Sequence, residues 1–168
     1  MTPAVLTRRR GNLLAFLAAA VAVAYAFYAQ YGLGLVPCHL CVFQRVTLAG
    51  GAVVLLAAAL HDPGPFGARV YAGLVLLGLG ATVATAARHV WIQLQPAGSV
   101  PACGADLDFM LDVFPLWQVV LKVFRAGGEC QKIDWTFLGL SMPGWVLLFA
   151  ALLLVFATWN NLRRAPAR

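Results

Sequence analysis

Four stretches of this chain carry no Asp, Glu, Lys or Arg, and each can hold a helix long enough to cross a lipid bilayer. They run from Gly11 to Gln44, between Arg45 and Asp62, between Arg69 and Arg88, and between Asp134 and Arg163. A span needs about 20 mostly apolar residues, which places helices at about Leu13–Tyr31, Gln44–Leu60, Val70–Ala87 and Pro143–Asn160. The runs lack the alternation of β-barrel strands, and a continuous apolar run in lipid satisfies its backbone within a helix. Only 11% of the 168 residues are charged and 62% are hydrophobic. Soluble domains carry about 25% charged residues, so a disordered chain is excluded and a soluble enzyme domain is not expected. The fold class expected is an all-α integral membrane protein: a single membrane domain over residues 1–168, built as a four-helix bundle.

The connections are unequal. A first loop covers about residues 32–43. A short turn around His61-Asp62-Pro63-Gly64-Pro65 carries breakers. A long loop covers about 88–142 and holds five of the six acidic residues. Two crossings separate the first loop from the long one, so these two share a side. The other side holds Arg8, Arg9, Arg10, Arg69, Arg163, Arg164 and Arg168 against Asp62 alone. By the positive-inside rule both termini are cytoplasmic. The formal charge of +6 is thus a topology signal, and no nucleic-acid partner is expected. Ala18-Ala19-Ala20 and Gly50-Gly51-Ala52 supply small residues for close helix packing. The basic start and Ala24-Tyr25-Ala26 imitate a cleaved signal peptide, and Arg9-Arg10 imitates a twin-arginine signal. The apolar stretch outruns a signal-peptide core and continues past that site, so a retained first span is expected.

All four cysteines, Cys38, Cys41, Cys103 and Cys130, fall on the non-cytoplasmic side of this topology, where disulfides persist. Four cysteines allow three pairings. Spacing makes Cys38 and Cys41 a local pair and leaves Cys103 and Cys130 flanking part of the long loop. Three readings are open: two disulfides bracing loops, a zinc site with four cysteine ligands, and a redox relay. Attached c-type haem is excluded because Val42 follows Cys41. A Cys-x-x-Cys ring is small and gains little from loop closure, which favours redox work over bracing. Cys41 lies where the second helix begins, and helix amides favour a thiolate there. Arg45 follows four residues later on the same face. A guanidinium within a span points to function; its plain alternative is an anchor snorkelling to the interface. His39, between the two cysteines, either tunes them or is solvated.

Within the long loop, Asp112 is expected to cap a short helix running to about Phe124, with Pro115 in its first turn. Too short to span, it reads as an interfacial helix lying on the bilayer, with Gln118 and Lys122 on one face. Such an anchor holds Cys103 and Cys130 near the membrane surface. Trp135 and Trp145 read as belt aromatics.

The chain resembles the disulfide bond formation protein B (DsbB) family of bacterial membrane quinone–thiol oxidoreductases. The resemblance rests on Pro37-Cys38-His39-Leu40-Cys41 followed by Gln44-Arg45, on His89 after the third span, and on the Cys103…Cys130 loop. Further segments are Asp108-Phe109-Met110, Trp135-Thr136-Phe137-Leu138-Gly139-Leu140, and Met142-Pro143 with Trp145. Two departures stand out. Gln44 replaces the Glu that often precedes the family arginine, and Gly104-Ala105-Asp106-Leu107 separates Cys103 from the Asp-Phe-Met segment.

The resemblance implies a bacterial inner-membrane protein with periplasmic cysteines that supports periplasmic protein folding. Its disulfides are Cys38–Cys41 and Cys103–Cys130. A reduced DsbA-like thioredoxin-fold carrier attacks the second, and Cys103 takes the mixed disulfide. Cys130 then attacks Cys38 to give a transient Cys38–Cys130 bond. Cys41, freed as a thiolate, faces a membrane quinone, ubiquinone or menaquinone, which accepts the two electrons. Cys41 and Arg45 are the expected quinone contacts, with His89 as a hydrogen-bond partner or, on the plainer reading, an interfacial histidine. Arg88 reads as an anchor. A thiol leaves faster as its pKa falls, which fits departure of Cys41 when Cys38 is attacked.

Two other functions compete. A quinone–thiol enzyme of the vitamin K epoxide reductase type carries its Cys-x-x-Cys late in the chain, whereas here it precedes the second span. A non-enzymatic membrane scaffold would hold static disulfides and form no mixed disulfide at Cys103.

Overall fold

The computed structural model describes residues 7–96, 98–101, 107–125, 127–133 and 135–163. Cys103, and with it the expected Cys103–Cys130 disulfide, lies outside the described residues. Four helices are long and apolar enough to cross a membrane: α1 (Arg8–Tyr31), α2 (His39–His61), α3 (Pro65–Gln93) and α6 (Met142–Leu162). They form a ring in which α1 packs on α2, α2 on α3, α3 on α6 and α6 on α1. Large apolar side chains such as Val21, Val53, Leu77 and Val155 face outward, as a bilayer-embedded surface requires. The expected all-α, four-helix membrane architecture is the one observed.

The bundle interior is built from small residues. Ala15, Ala19, Leu48, Ala52, Leu55, Val75, Leu79, Leu153 and Ala157 form its main core. Lipid tails offer no hydrophobic drive between helices, so close backbone approach supplies the packing. At the α2–α3 crossing a Cβ on Gly78 would stand 3.1 Å from the Gly51 Cα, and one on Gly51 would stand 2.6 Å from Leu79. Ala19, Gly51 and Ala52 fill the packing role expected of them; Gly50 faces open space.

At one end of the bundle, Arg8 donates from Nη2 to the Arg163 carbonyl (2.9 Å) and from Nη1 to the Pro63 carbonyl (3.4 Å). The start of α1, the end of α6 and the α2–α3 turn therefore meet there. Just inside, Asn12, Asn160 and Asn161 are fully buried and bonded to one another.

The helices exceed the expected spans. A helix continues past its last lipid-facing residue until the backbone chemistry stops it. α2 starts directly after Pro37 with Cys38 as its N-cap, and ends where Asp62 turns left-handed (φ 42°) before Pro63. Cys41, expected where this helix begins, sits in the first turn of α2. α3 has 29 residues, about 44 Å at 1.5 Å per residue, and carries His89 within the helix rather than in the loop.

The single helix expected from Asp112 is instead two. α4 (Leu107–Val113) contains Asp112, and α5 (Leu116–Arg125) begins after Pro115. Proline cannot donate to the preceding turn and clashes with it, so the chain breaks at Phe114–Pro115. α5 divides its apolar residues: Val119 and Val123 are buried, whereas Leu116, Trp117 and Leu121 are exposed, the distribution an interfacial helix needs. The inner face joins Leu40, Ile92, Met110 and Cys130 in a second core. α5 thus also covers the end of the bundle opposite Arg8. Its last turn is held by Arg88, whose Nε and Nη2 donate to the Phe124 carbonyl at 3.2 and 3.0 Å. Arg88 also stacks 4.2 Å from the Trp91 ring centroid. It is therefore an anchor for α5.

A 3-10 turn (Gly128–Gln131) follows, then a small hairpin that pairs β1 (Thr136–Phe137) with β2 (Leu140–Ser141). The hairpin turn has positive φ at both central residues, Leu138 (49°) and Gly139 (79°), the conformation whose twist matches paired strands.

Candidate active site

Three sulfurs and one imidazole converge where α2 begins. Pro37 and the extended Cys38 N-cap aim the first turn of α2 inward. The Sγ atoms of Cys38 and Cys41 are 3.4 Å apart. His89, on the long α3, places Nε2 3.8 Å from Cys38 Sγ and Nδ1 3.9 Å from Cys41 Sγ. The 3-10 turn brings Cys130, 1% exposed, within hydrogen-bonding reach of Cys38. Cys38, Cys41 and Cys130 are all free thiols.

Secondary contacts fix this arrangement. Gln44, buried one turn after Cys41, places its amide Nε2 3.2 Å from His89 Nδ1. With the amide donating, Nδ1 accepts and Nε2 carries the ring proton, directed toward Cys38. His39 is buried rather than solvated, and its Nδ1 lies 3.3 Å from Glu129 Oε2. That contact ties the Cys-x-x-Cys turn to the residue preceding Cys130.

Electrostatics separate the two loop sulfurs. Cys38 is held well below the ordinary thiol range, first by hydrogen bonding from Cys130, then from Cys41; burial opposes this and His89 adds to it. Cys130 is pushed upward because its proton is engaged with Cys38 and because it is buried. The sequence places the stabilised thiolate at Cys41, by its helix position. With three free thiols, hydrogen bonds converge on Cys38 instead, a dependence on Cys130 that spacing along the chain does not reveal.

A cavity of about 790 Å³ opens beside the sulfurs and is lined by Cys38, Cys41, Gln44, Arg45, His89 and Cys130, with apolar walls from α1 and α6. Tyr25 lines it and is also 47% exposed on the outer face of α1, so the cavity reaches the lipid-facing side. Arg45 does not snorkel freely. Its Nη1 donates to Gln30 Oε1, and its guanidinium lies 5.6 Å from the Phe27 ring centroid. Trp135 and Trp145, read from sequence as belt aromatics, line this cavity. Phe137 links them, at ring-centroid distances of 6.1 Å to each, and Trp145 Nε1 donates to the Phe137 carbonyl (3.0 Å). Gln30, Phe27 and Glu129 are site residues that the sequence did not single out. Gln30 had a signal, as the last polar residue of an otherwise apolar span.

A family model described as disulfide bond formation protein DsbB matches residues 8–160. The chain belongs to the DsbB family. Among its relatives, the disulfide bond formation protein B of Chromobacterium violaceum is 45% identical over 95% of this chain and 96% of its own length. That of Marinobacter nauticus is 44% identical over 92% of each. That of Acinetobacter baylyi is 45% identical over 91% of this chain and 90% of its own. The protein is therefore a multi-pass membrane oxidoreductase of a disulfide-forming family.

Proposed function

We propose that this protein reoxidises a periplasmic DsbA-like dithiol carrier and delivers the electrons to a quinone in the bacterial inner membrane. In this reading both termini are cytoplasmic and the cysteines face the periplasm. The observation that carries it is the meeting of Cys38, Cys41, Cys130 and His89 at the wall of one cavity that also holds Arg45.

The residues suit a quinone. The cavity falls within the ~300–1,000 Å³ typical of small-molecule sites, its walls are largely apolar, and Arg45 and His89 offer donors suited to carbonyl oxygens. A bound quinone would supply a two-electron, two-proton acceptor.

The chain's own residues perform the exchange. The carrier's thiolate attacks Cys103 of the Cys103–Cys130 disulfide; that bond breaks, a carrier–Cys103 bond forms, and Cys130 is released. Cys130 attacks Cys38, whose bond to Cys41 breaks, and Cys41 leaves as a thiolate. Each step exchanges one S–S bond for another. The carrier's second thiolate displaces Cys103 and leaves as the oxidised carrier. Cys103 then attacks Cys130, which re-forms that disulfide and releases Cys38, and removal of two electrons and the thiol protons from Cys38 and Cys41 restores theirs. In the structure Cys130 already lies against Cys38, the sulfur it must attack. His39 and Glu129 hold the two segments together, and Arg45 lines the same cavity wall as Cys41.

The test is an anaerobic mixture of purified protein, reduced carrier and excess quinone, followed for quinol and carrier disulfide. Equimolar production of both is expected. Normal turnover by Cys41→Ser would overturn the reading.

A further inference from the structure

We propose that the fully reduced protein binds one Zn²⁺ ion through Cys38, Cys41, Cys130 and His89. Ligand atoms of Cys38, Cys41 and His89 all lie within 4.8 Å of one another; Cys130, buried in the wall of the same cavity, stands outside this close group and supplies the third sulfur by moving toward it. Tetrahedral zinc with ordinary bond lengths sets sulfur–sulfur edges at about 3.8 Å and sulfur–nitrogen edges at about 3.6 Å. Cys38 and Cys41 Sγ stand 3.4 Å apart, and His89 Nε2, the nitrogen that would bind the metal, stands 3.8 Å from Cys38 Sγ. Three of the four ligands thus already stand near the edge lengths of the coordination shell, and Cys130 approaches from the same cavity wall to complete it. Three soft sulfurs and one imidazole form one of the ligand sets preferred by closed zinc sites.

The supporting shell is also present. His89 Nε2 faces Cys38, while Nδ1 is engaged by Gln44. With Nε2 on the metal, Nδ1 carries the proton and the Gln44 amide turns its oxygen to accept it, the second-shell contact that fixes a ligand histidine. This set differs from the four-cysteine zinc site that the sequence leaves open, because His89 replaces Cys103.

Binding involves no electron transfer. The three thiols give up their protons to solvent as the metal–sulfur bonds form. A Cys38–Cys41 disulfide removes two of the four ligands, so the site exists only while electrons are held on the cysteines. Zinc binding stands independently of the quinone reading; its consequence, a reversible block of the reduced relay, rests on that reading.

The experiment titrates Zn²⁺ alone into detergent-solubilised full-length protein, reduced or oxidised, against a chromophoric chelator. Co²⁺ serves as a spectroscopic substitute. The reduced protein is expected to bind one ion, with sulfur-to-cobalt charge transfer and the intense visible bands of a tetrahedral centre, and the oxidised protein none. Gln44→Ala should weaken binding by about tenfold, and His89→Ala and Cys130→Ser by more. Circular dichroism confirms that each variant is folded; if one is not, the wild-type cobalt spectrum decides the ligand set. Equal binding by oxidised protein, unchanged affinity in folded His89→Ala, or a cobalt spectrum with four sulfurs would each overturn the proposal. Loss of quinol production without loss of zinc binding would count against the quinone reading alone.

Discussion

Cys130 lies within hydrogen-bonding reach of Cys38, although two transmembrane helices separate them along the chain. The contact joins the long loop to the Cys-x-x-Cys turn and poises the sulfur of one loop against the disulfide-forming pair of the other.

This juxtaposition predicts an interloop bond. In a Cys41→Ser, Cys103→Ser protein, Cys38 and Cys130 are the remaining thiols and should join under mild oxidation. Peptide mapping should recover one Cys38–Cys130 linkage in high yield within monomers. A predominance of intermolecular dimers would show that the two sulfurs do not meet.

The two sulfurs should also titrate apart. An ordinary thiol ionises near pH ~8.5. Cys38, held below that range by its hydrogen bonds, stays a thiolate as pH falls through the ordinary value; Cys130, pushed above it, stays protonated as pH rises through it. Alkylation of the reduced protein at a series of pH values, read by mass spectrometry, should give a Cys38 profile shifted to acid and a Cys130 profile shifted to alkali. Cys130→Ala removes the largest cause, so the Cys38 profile should move upward.

Glu129 and His39, 3.3 Å apart, should act on the internal exchange and not on quinone affinity. The Glu129 carboxylate is half exposed, so the pair is worth no more than about 1 kcal/mol. Glu129→Gln should then slow formation of the Cys38–Cys130 bond by at most about fivefold. Rapid quenching of single turnovers checks the rate, and an unchanged quinone KM separates positioning from binding.

Much of this was legible in the sequence because lipid imposes a simple rule: charge-free runs become helices, and charges mark their ends. The Cys-x-x-Cys pair, Arg45 and His89 were found as chemistry-bearing residues, and the structure brings them to one cavity. Three things were less visible. Helix starts are set by Pro37 and Gly64 rather than by the edge of the apolar run, and α3 continues past Arg88 to Gln93, which puts His89 inside it. Pro115 broke a helix that amphipathicity alone would have continued. The convergence on Cys38, and the roles of Trp135, Trp145, Gln30 and Glu129, depend on contacts between segments far apart in sequence, which no local pattern encodes.

At the opposite end, Asn12 accepts from both Asn160 (3.0 Å) and Asn161 (2.8 Å) and donates to Asn161 (3.0 Å). Asn12→Ala leaves buried amides without their partner and should cost about 1–2 kcal/mol. Gly11→Ala should also destabilise, because its Cβ would stand 2.3 Å from Asn160 Oδ1. Unfolding of the detergent-solubilised protein by heat or denaturant would register both, with thiol exchange at the far end unchanged in the folded fraction.

Arg45 distinguishes a ligand-holding guanidinium from a bilayer anchor. It is fixed by Gln30 and sits against Phe27, so its orientation into the cavity is built rather than incidental. A hydrogen bond to a charged group contributes about 1.5–3 kcal/mol, so Arg45→Met should raise the quinone KM by about 10- to 100-fold with the carrier held saturating. Arg45→Lys should recover only part of this, because an ammonium lacks the planar fork that Gln30 holds. Gln30→Ala keeps the charge and loosens its aim, so its effect should be smaller and of the same kind. Steady-state kinetics with quinone varied measures all three. If Arg45→Met leaves that KM unchanged, the guanidinium serves only to seat α2 at the interface, and the acceptor must be held by other groups in the cavity.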